Sequence, residues 1–309
     1  GAAGTIFVGG PAKFNQDINA NNVQGISPED YTQSISLLSN QDDFQFNVIT
    51  MPGLNQSQHS TEVAQLINMC QERGDAIAVV DLAPYNSTLL TYTGEAAELN
   101  SSYAASYAPW LRVSDPGTGQ LIWVPASTVI PGVYAFNDRV AEPWFAPAGL
   151  NRGGLSTVIK PERKYTQSNR DTLYVGKVNP IASFPNAGTV VFGQKTLQTK
   201  ASALDRVNVR RLLIALKGFI SQVSDNLVFE QNSAATRNQF LGSVNPYLES
   251  VQQRQGLYAF KVVMDDSNNT PDVIDRNQLV GAIYLQPTKT AEFIILDFNV
   301  LPTGATFPS

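Results

Sequence analysis

A single histidine, His59, restricts the acid–base and nucleophilic chemistry open to this chain of 309 residues. A serine-type relay needs a serine, an imidazole and a carboxylate that converge in space. His59 lies in Asn55-Gln-Ser-Gln-His-Ser60, a polar stretch at a helix start, and the chain has no Gly-x-Ser-x-Gly elbow. It is therefore read as a solvent-exposed residue of a loop or helix start. Asp265, Asp266, Asn268, Asn269, Asp272 and Asp275 offer the oxygen donors that suit a hard cation. The sharp-turn glycine and closing glutamate of a calcium loop are missing, so an Asx-rich turn that caps strand ends is the preferred reading. Asn151-Arg-Gly-Gly154 and Gly9-Gly10-Pro11 lack the Lys-Ser/Thr ending of a phosphate loop. Cys70 has no Cys or His at metal-ligand spacing and is assigned to core packing. These residues assign no catalytic, cofactor or metal site, and the chain is expected not to be an enzyme.

What remains is charge. Arg206, Arg210, Arg211 and Lys217 recur along one predicted helix, and Arg237 and Arg254 lie on the next. Such a stripe is either a solvated face or a docking surface for an acidic partner, which charge complementarity steers into place. The residues alone leave that choice open. The net charge of −5 argues against a broad nucleic-acid surface, which must neutralise phosphates. The hydrophobic fraction of 43% suffices for a sizeable core, whereas only 15% of residues are charged, against roughly 25% in soluble domains. A surface rich in Asn, Gln, Ser and Thr suits packing against further copies. No apolar run approaches the roughly 20 residues of a membrane span. Gly1-Ala-Ala-Gly4 lacks the features of a signal peptide, and one cysteine permits no internal disulfide.

The elements that would position these groups alternate between helix and strand. Thr5 to Val8 and Phe44 to Ile49 read as strands, the second closed by Pro52-Gly53. Asn15 to Ser27 reads as loop. Ser27-Pro28-Glu29-Asp30 starts a helix to about Leu38. Ser60 starts another, with Val63, Leu66, Ile67 and Cys70 on its inner face and Gly74 at its end. The apolar run Asp75 to Ala83 suits a strand buried in a parallel sheet, so this region reads as a βαβ unit. A helix is predicted over Ala96 to Ala105. A hairpin follows around Ser114-Asp-Pro-Gly-Thr-Gly119, then a helix from Pro125 and Ser127 to about Val140.

Two long helices are predicted at Asp205 to Ser224 and Ser233 to Gln255, with Leu227 to Glu230 as a short strand between them. Pro246 lies inside the second and is expected to kink it. Three strands complete the chain: Leu257 to Met264, Leu279 to Leu285, and Glu292 to Val300. The fold class is α/β to α+β: a mixed core containing βαβ, then a compact unit of two long helices on a β-sheet.

Several segments in order resemble the contractile tail sheath proteins of myovirus-type bacteriophages. They include Tyr107-Ala-Pro-Trp-Leu-Arg-Val, Ile122-Trp-Val-Pro, Pro143-Trp-Phe-Ala-Pro-Ala148 and Val178-Asn-Pro-Ile-Ala-Ser-Phe-Pro-Asn-Ala-Gly188. Asn268-Asn-Thr-Pro-Asp-Val-Ile-Asp, Ile283-Tyr-Leu-Gln-Pro and Ala291-Glu-Phe-Ile continue the match, which runs from about Phe46 onward. The resemblance implies a subtilisin-like sheath core over residues 1–195 and a C-terminal sheath domain with an extended arm over 196–309. It implies hexameric rings stacked helically around a tail tube, with further contacts to the baseplate and tail terminator. Contraction would drive the tube through the host envelope, from a virion tail assembled in the host cytoplasm. No direct membrane insertion and no nucleic-acid contact are expected.

In that family, arms add strands to a neighbour's C-terminal sheet. Here the segment Leu301 to Ser309 is similar to such an arm, and Phe293, Ile295, Phe298, Leu301 and Phe307 would form the subunit interface. The basic residues Arg206, Arg210, Arg211, Lys217, Arg237 and Arg254 would face the tube or a neighbour. The loop 149–172, with Arg152, Lys160, Arg163, Lys164 and Arg170, would lie near subunit contacts. The resemblance also implies an N-terminal arm and small domain upstream of Gly9-Gly10, so the chain is expected to be the C-terminal half to two-thirds of a subunit, if not all of one. The alternatives are the sheath of a pyocin-like particle or type VI secretion system, and a hydrolase on a subtilisin-like core.

Overall fold

The computed structural model describes residues 18–292. The predicted strand at 5–8, the last predicted strand beyond Glu292 and the arm at 301–309 lie outside the described residues, as do Phe293, Ile295, Phe298, Leu301 and Phe307.

A small ribbon of β1 (Ile18–Asn19) and β2 (Asn22–Val23) lies within the stretch predicted as loop and precedes α1 (Pro28–Leu38). Pro28 in the first turn, followed by Glu29 and Asp30, starts α1 where the sequence places it, because proline loses no bond there and acids meet the positive helix end. The βαβ unit is β3 (Val48–Asn55), α2 (Ser60–Arg73) and β4 (Ile77–Asp81), with β3 and β4 parallel. α2 ends at Gly74, whose left-handed φ of +67° is cheap only for glycine. A Cβ at Gly74 would also collide with the Lys217 amine.

Two predicted boundaries move here. β3 does not stop at Pro52-Gly53 but runs through them. Its ladder is interrupted between Thr50 and Asn55, so the missing proline N–H breaks no bond. Gly53, at φ +108°, admits the Val23 side chain where a Cβ would meet it at 2.7 Å. The helix predicted at 96–105 is instead the end of α3 (Leu89–Ala97) followed by the strand β5 (Ala104–Ala108). Alanine favours helix locally, but β5 lies between β4 and β9 (Asn179–Phe184) and is buried throughout, so tertiary pairing overrides propensity.

The predicted hairpin is β6 (Leu111–Ser114) and β7 (Leu121–Val124), paired from Leu111 with Val124 to Ser114 with Leu121. The Asp115 carboxylate accepts from the Gly117 N–H at 3.1 Å and holds the turn. A short 3₁₀ turn over Ala126–Thr128 leads into α4 (Ile130–Val140), and α5 (Gly149–Arg152) follows. β8 (Val158–Pro161) joins the free side of β6. After α6 (Gln167–Val175), β9 and β10 (Gly188–Val191) complete the main sheet in the order β10-β9-β5-β4-β3. All its neighbouring pairs are parallel except β9 with β10.

The C-terminal part holds α7 (Val207–Asp225), α8 (Ala234–Gln253), β11 (Leu257–Val263), the short α9 (Pro271–Asp275) and β12 (Ala282–Pro287). α8 continues through Pro246. The predicted strand at 227–230 is a turn in which Phe229 takes φ +72° and is fully exposed.

Both faces of the main sheet are covered, as its alternation requires. Ala78 and Val80 of β4 face a core shared with Val63, Leu66 and Cys70 of α2. Ile77 and Val79 face the opposite core, shared with Ile130 and Tyr134 of α4 and with Val207 and Ile214 of α7. Leu212 and Leu216, also on α7, enter a third core with Phe240, Val244, Leu248 and Leu257. α7 thus belongs to two cores at once.

Arg73 closes the first layer. It is 2% exposed, donates to the carbonyls of Leu38 and Phe44 at 2.7 and 2.8 Å, and pairs with Asp75 at 2.9 Å. Its guanidinium also stacks over Phe46, 4.3 Å from the ring centre. Arg73→Ala leaves two part-buried carbonyls and the Asp75 carboxylate without this donor and is expected to cost about 3 kcal/mol of unfolding free energy. Denaturant titration measures it, and a loss below about 1 kcal/mol would show that this tie is dispensable.

Candidate functional site

The polar residues that could support catalysis do not converge. His59 is not exposed as predicted: it is 2% exposed at the start of α2. Its Nδ1 accepts the Asn55 N–H at 3.1 Å, so Nε2 donates to the Asn19 carbonyl at 3.0 Å. The imidazole ties the first ribbon to the βαβ unit, and both its nitrogens are occupied. A buried histidine with backbone partners is invisible in a sequence whose flanks are all polar.

A carboxylate that no motif singles out is the more unusual group. Asp81 ends β4, is 5% exposed, and accepts from the Ser127 hydroxyl at 2.5 Å and the Ser127 N–H at 3.2 Å. This pins the 3₁₀ turn onto the sheet. Burial pushes its pKa up to about 7, against the opposing effect of the two Ser127 hydrogen bonds. Cys70 behaves as the core residue predicted, with burial raising its thiol to about 12.

The Asx-rich loop is built as a turn. The Asp265 carboxylate accepts from the Ser267 N–H at 2.8 Å, and Asn268 accepts from the Asp265 N–H at 2.9 Å. Buried Asn269 bonds both the N–H and the carbonyl of Val280, at 2.9 and 2.8 Å, and so fastens the loop to the approach to β12. Among the described residues no cluster of three His, Cys, Asp or Glu forms a metal cage.

The middle of the basic stripe is not a solvated face, although Lys217 at its end is exposed. Arg210 and Arg211 are 6% and 4% exposed. Arg210 stacks on Tyr103, 3.8 Å from the ring centre, and donates to the Ser102 hydroxyl. Arg211 pairs with Asp138 at 2.6 Å and lies over Tyr134. Lys217 donates to the Arg73 carbonyl at 2.8 Å, and Arg206 pairs with Asp205 and Glu292 at 2.9 and 2.6 Å. Arg237 meets Asp266 at 2.9 Å, and Arg254 meets Glu142 at 2.5 Å. The spacing was legible; which way the face turns was not, because a guanidinium over a tyrosine is buried as readily as an aliphatic side chain. The segment 149–172 is not a loop throughout but holds α5, β8 and the start of α6; in it Arg152, Arg163 and Arg170 donate to Ala146, Asn86 and Tyr165, Lys160 lies near the Trp123 ring, and Lys164 is exposed.

The surface best shaped for a partner is the ribbon β11–β12. It is antiparallel, pairs Val263 with Ala282 through Lys261 with Tyr284, and carries a bulge near Leu257. Phe260, Val262, Ile283 and Leu285 pack into the third core, while Tyr258 and Tyr284 are 62% and 61% exposed. No third strand joins it among the described residues.

Most of the chain is similar to known proteins. The family model of the phage tail sheath protein central domain matches residues 24–197, and that of the phage tail sheath C-terminal domain matches residues 199–301. The tail sheath protein of Vibrio phage KVP40 is 42% identical over 185 residues, 60% of this chain and 28% of its own length. That of Enterobacteria phage T4 is 37% identical over 230 residues, 74% of this chain and 35% of its own. The chain therefore spans about a third of the length of these curated relatives. The PVC sheath complex of an extracellular contractile injection system, in its contracted state, superposes with a TM-score of 0.72 at 27% identity, over 86% of this chain and 74% of that one.

Asp81 supplies a pH test. Below about pH 4 the carboxyl is neutral in both folded and unfolded chains, and its favourable burial is fully present; as pH rises through about 7 that contribution is lost. The span from 3.8 to about 7 corresponds to on the order of 4 kcal/mol. Asp81→Asn should flatten the stability profile over this range, and an unchanged slope in denaturant titrations at pH 5 and 8 would show that Asp81 does not titrate there.

Proposed function

This chain belongs to the phage tail sheath protein family, and we propose that it is the part of a contractile sheath subunit that builds and holds the sheath lattice. In this reading copies of the chain stack as rings around a tail tube, between a baseplate and a terminator, in the tail of a virion. The lattice assembles in a high-energy extended form and converts to a lower-energy contracted one, driving the tube into the host envelope.

The observation that carries the reading is the ribbon β11–β12. Its inner face is fixed in the third core and exposed tyrosines stand on it, yet it has only two strands among the described residues. Backbone N–H and C=O groups along an open strand edge accept a further strand at little conformational cost. A segment from a neighbouring copy, including residues 301–309, would complete the sheet, with Phe293, Ile295, Phe298, Leu301 and Phe307 supplying apolar contacts. Two long helices behind the ribbon make a compact C-terminal unit that keeps its register while neighbours move. Because Arg210 and Arg211 are engaged inside the subunit, contacts with the tube fall to more exposed groups such as Arg254. The greater identity to phage sheaths, 42% and 37% against 27%, favours a phage tail over an extracellular injection system.

Negative-stain electron microscopy of the concentrated protein, with tube protein added, tests the reading. Tubes or stacked rings are expected, and discrete monomers throughout would refute it. Deleting residues 301–309 should abolish tubes while the thermal midpoint of the monomer stays within about 2 °C; tubes that persist would remove the strand-exchange role from that segment.

A further inference from the structure

Glu292 closes a polar junction between three separate parts of the chain. Its carboxylate accepts from Arg206 Nε at 2.6 Å and Nη2 at 3.1 Å, from the Tyr174 hydroxyl at 2.7 Å, and from the Gln194 amide at 3.3 Å. Four donors fill the roughly four lone-pair sites of a carboxylate. Tyr174 is in the last turn of α6, Gln194 follows β10, and Arg206 immediately precedes α7. Gln194 also donates to Thr290 at 2.7 Å, so the chain is gripped at two points two residues apart, 290 and 292.

The junction is shielded. The side chains of Glu292 and Arg206 are 17% and 27% exposed. Burial, reinforced by the Glu292 charge, raises the Tyr174 pKa well above its usual value, so the phenol keeps its proton and donates. Lys195 donates to the Tyr174 carbonyl at 2.8 Å and lies 4.4 Å from the centre of its ring, steadying the tyrosine from the other side.

We infer that Glu292 is the anchor of the C-terminal segment, a positioning residue that fixes the point on the subunit from which the chain continues beyond the strap. The chain comes out of β12 at Pro287, crosses in five residues as a strap, and is fastened not to the ribbon it has just left but to the flank of the main sheet. Tension on the segment beyond Glu292 is then delivered through Tyr174 and Gln194 to the central layers, and the two-stranded ribbon is spared. A bidentate guanidinium–carboxylate pair suits this use because it resists both sliding and rotation. The role of the segment under tension rests on the sheath reading; the anchor itself does not.

A lysine-specific endoprotease, blind to arginine, tests the anchor without assembly, because Lys289 lies exposed within the strap. Cleavage after Lys289 in the unassembled chain is expected to accelerate at least ten-fold in Glu292→Ala and several-fold in Tyr174→Phe, with thermal midpoints near that of the parent. The charge exchange Glu292→Arg with Arg206→Glu should restore much of the protection, which a general loss of packing would not allow. Unchanged cleavage in Glu292→Ala overturns the anchor, and acceleration that the charge exchange fails to reverse overturns the pairing on which it depends. If the parent forms no tubes but the cleavage pattern holds, the sheath reading fails and the anchor stands.

Discussion

The inward turn of the cationic face of α7 is the constraint on which the remaining architecture depends. Leu212 and Leu216 need one core, Val207 and Ile214 need another, and the arginines lie where the two meet. Burying guanidinium groups is costly unless each finds a carboxylate, a carbonyl or an aromatic face. Here Tyr103, Tyr134 and Asp138 supply them. These partners come from the loop before β5 and from α4, so satisfying the arginines fixes how the C-terminal helices sit on the main sheet. Lys217 continues the seam to the end of α2, where Gly74 leaves just enough room for it.

Buried polar ties of this kind specify geometry more than they add stability. A purely apolar seam of similar area would hold the two cores together but would let them slide, because hydrophobic contact is non-directional. Directional bonds at intervals along one helix define a single docking. The His59 bridge and the Arg73 tie do the same work in the first layer, each joining segments distant in sequence through backbone carbonyls.

Much of this was legible in residue order, and the exceptions share one cause. α1, α2, β4, the β6–β7 hairpin, α7 and α8 announce themselves by capping residues, by 3.6-residue or continuous apolar patterning, and by turn chemistry. β5 did not, since Ala104-Ala-Ser-Tyr-Ala108 is strand only because two other strands flank it. β3 passes Pro52-Gly53 because its ladder has a gap at that point, a fact of pairing rather than of composition. His59, Asp81, Arg210 and Arg211 are polar in type and buried in fact, and burial is set by partners tens of residues away. The segments that resemble tail sheath proteins identified the family, yet they could not show which arginines were already spoken for.

The two-stranded ribbon has one further consequence. An isolated pair of strands is marginal in water, and β11–β12 persists because α8 and its neighbours cover one side of it. Among the described residues its other bonding positions have no strand partner, so a strand that pairs there binds the folded form and not the unfolded one. Mass action then makes the stability of this part of the subunit depend on the local supply of its partner. If a neighbouring copy is that partner, as proposed above, the ribbon would be at its most labile in the dilute, unassembled chain and would harden as the lattice grows.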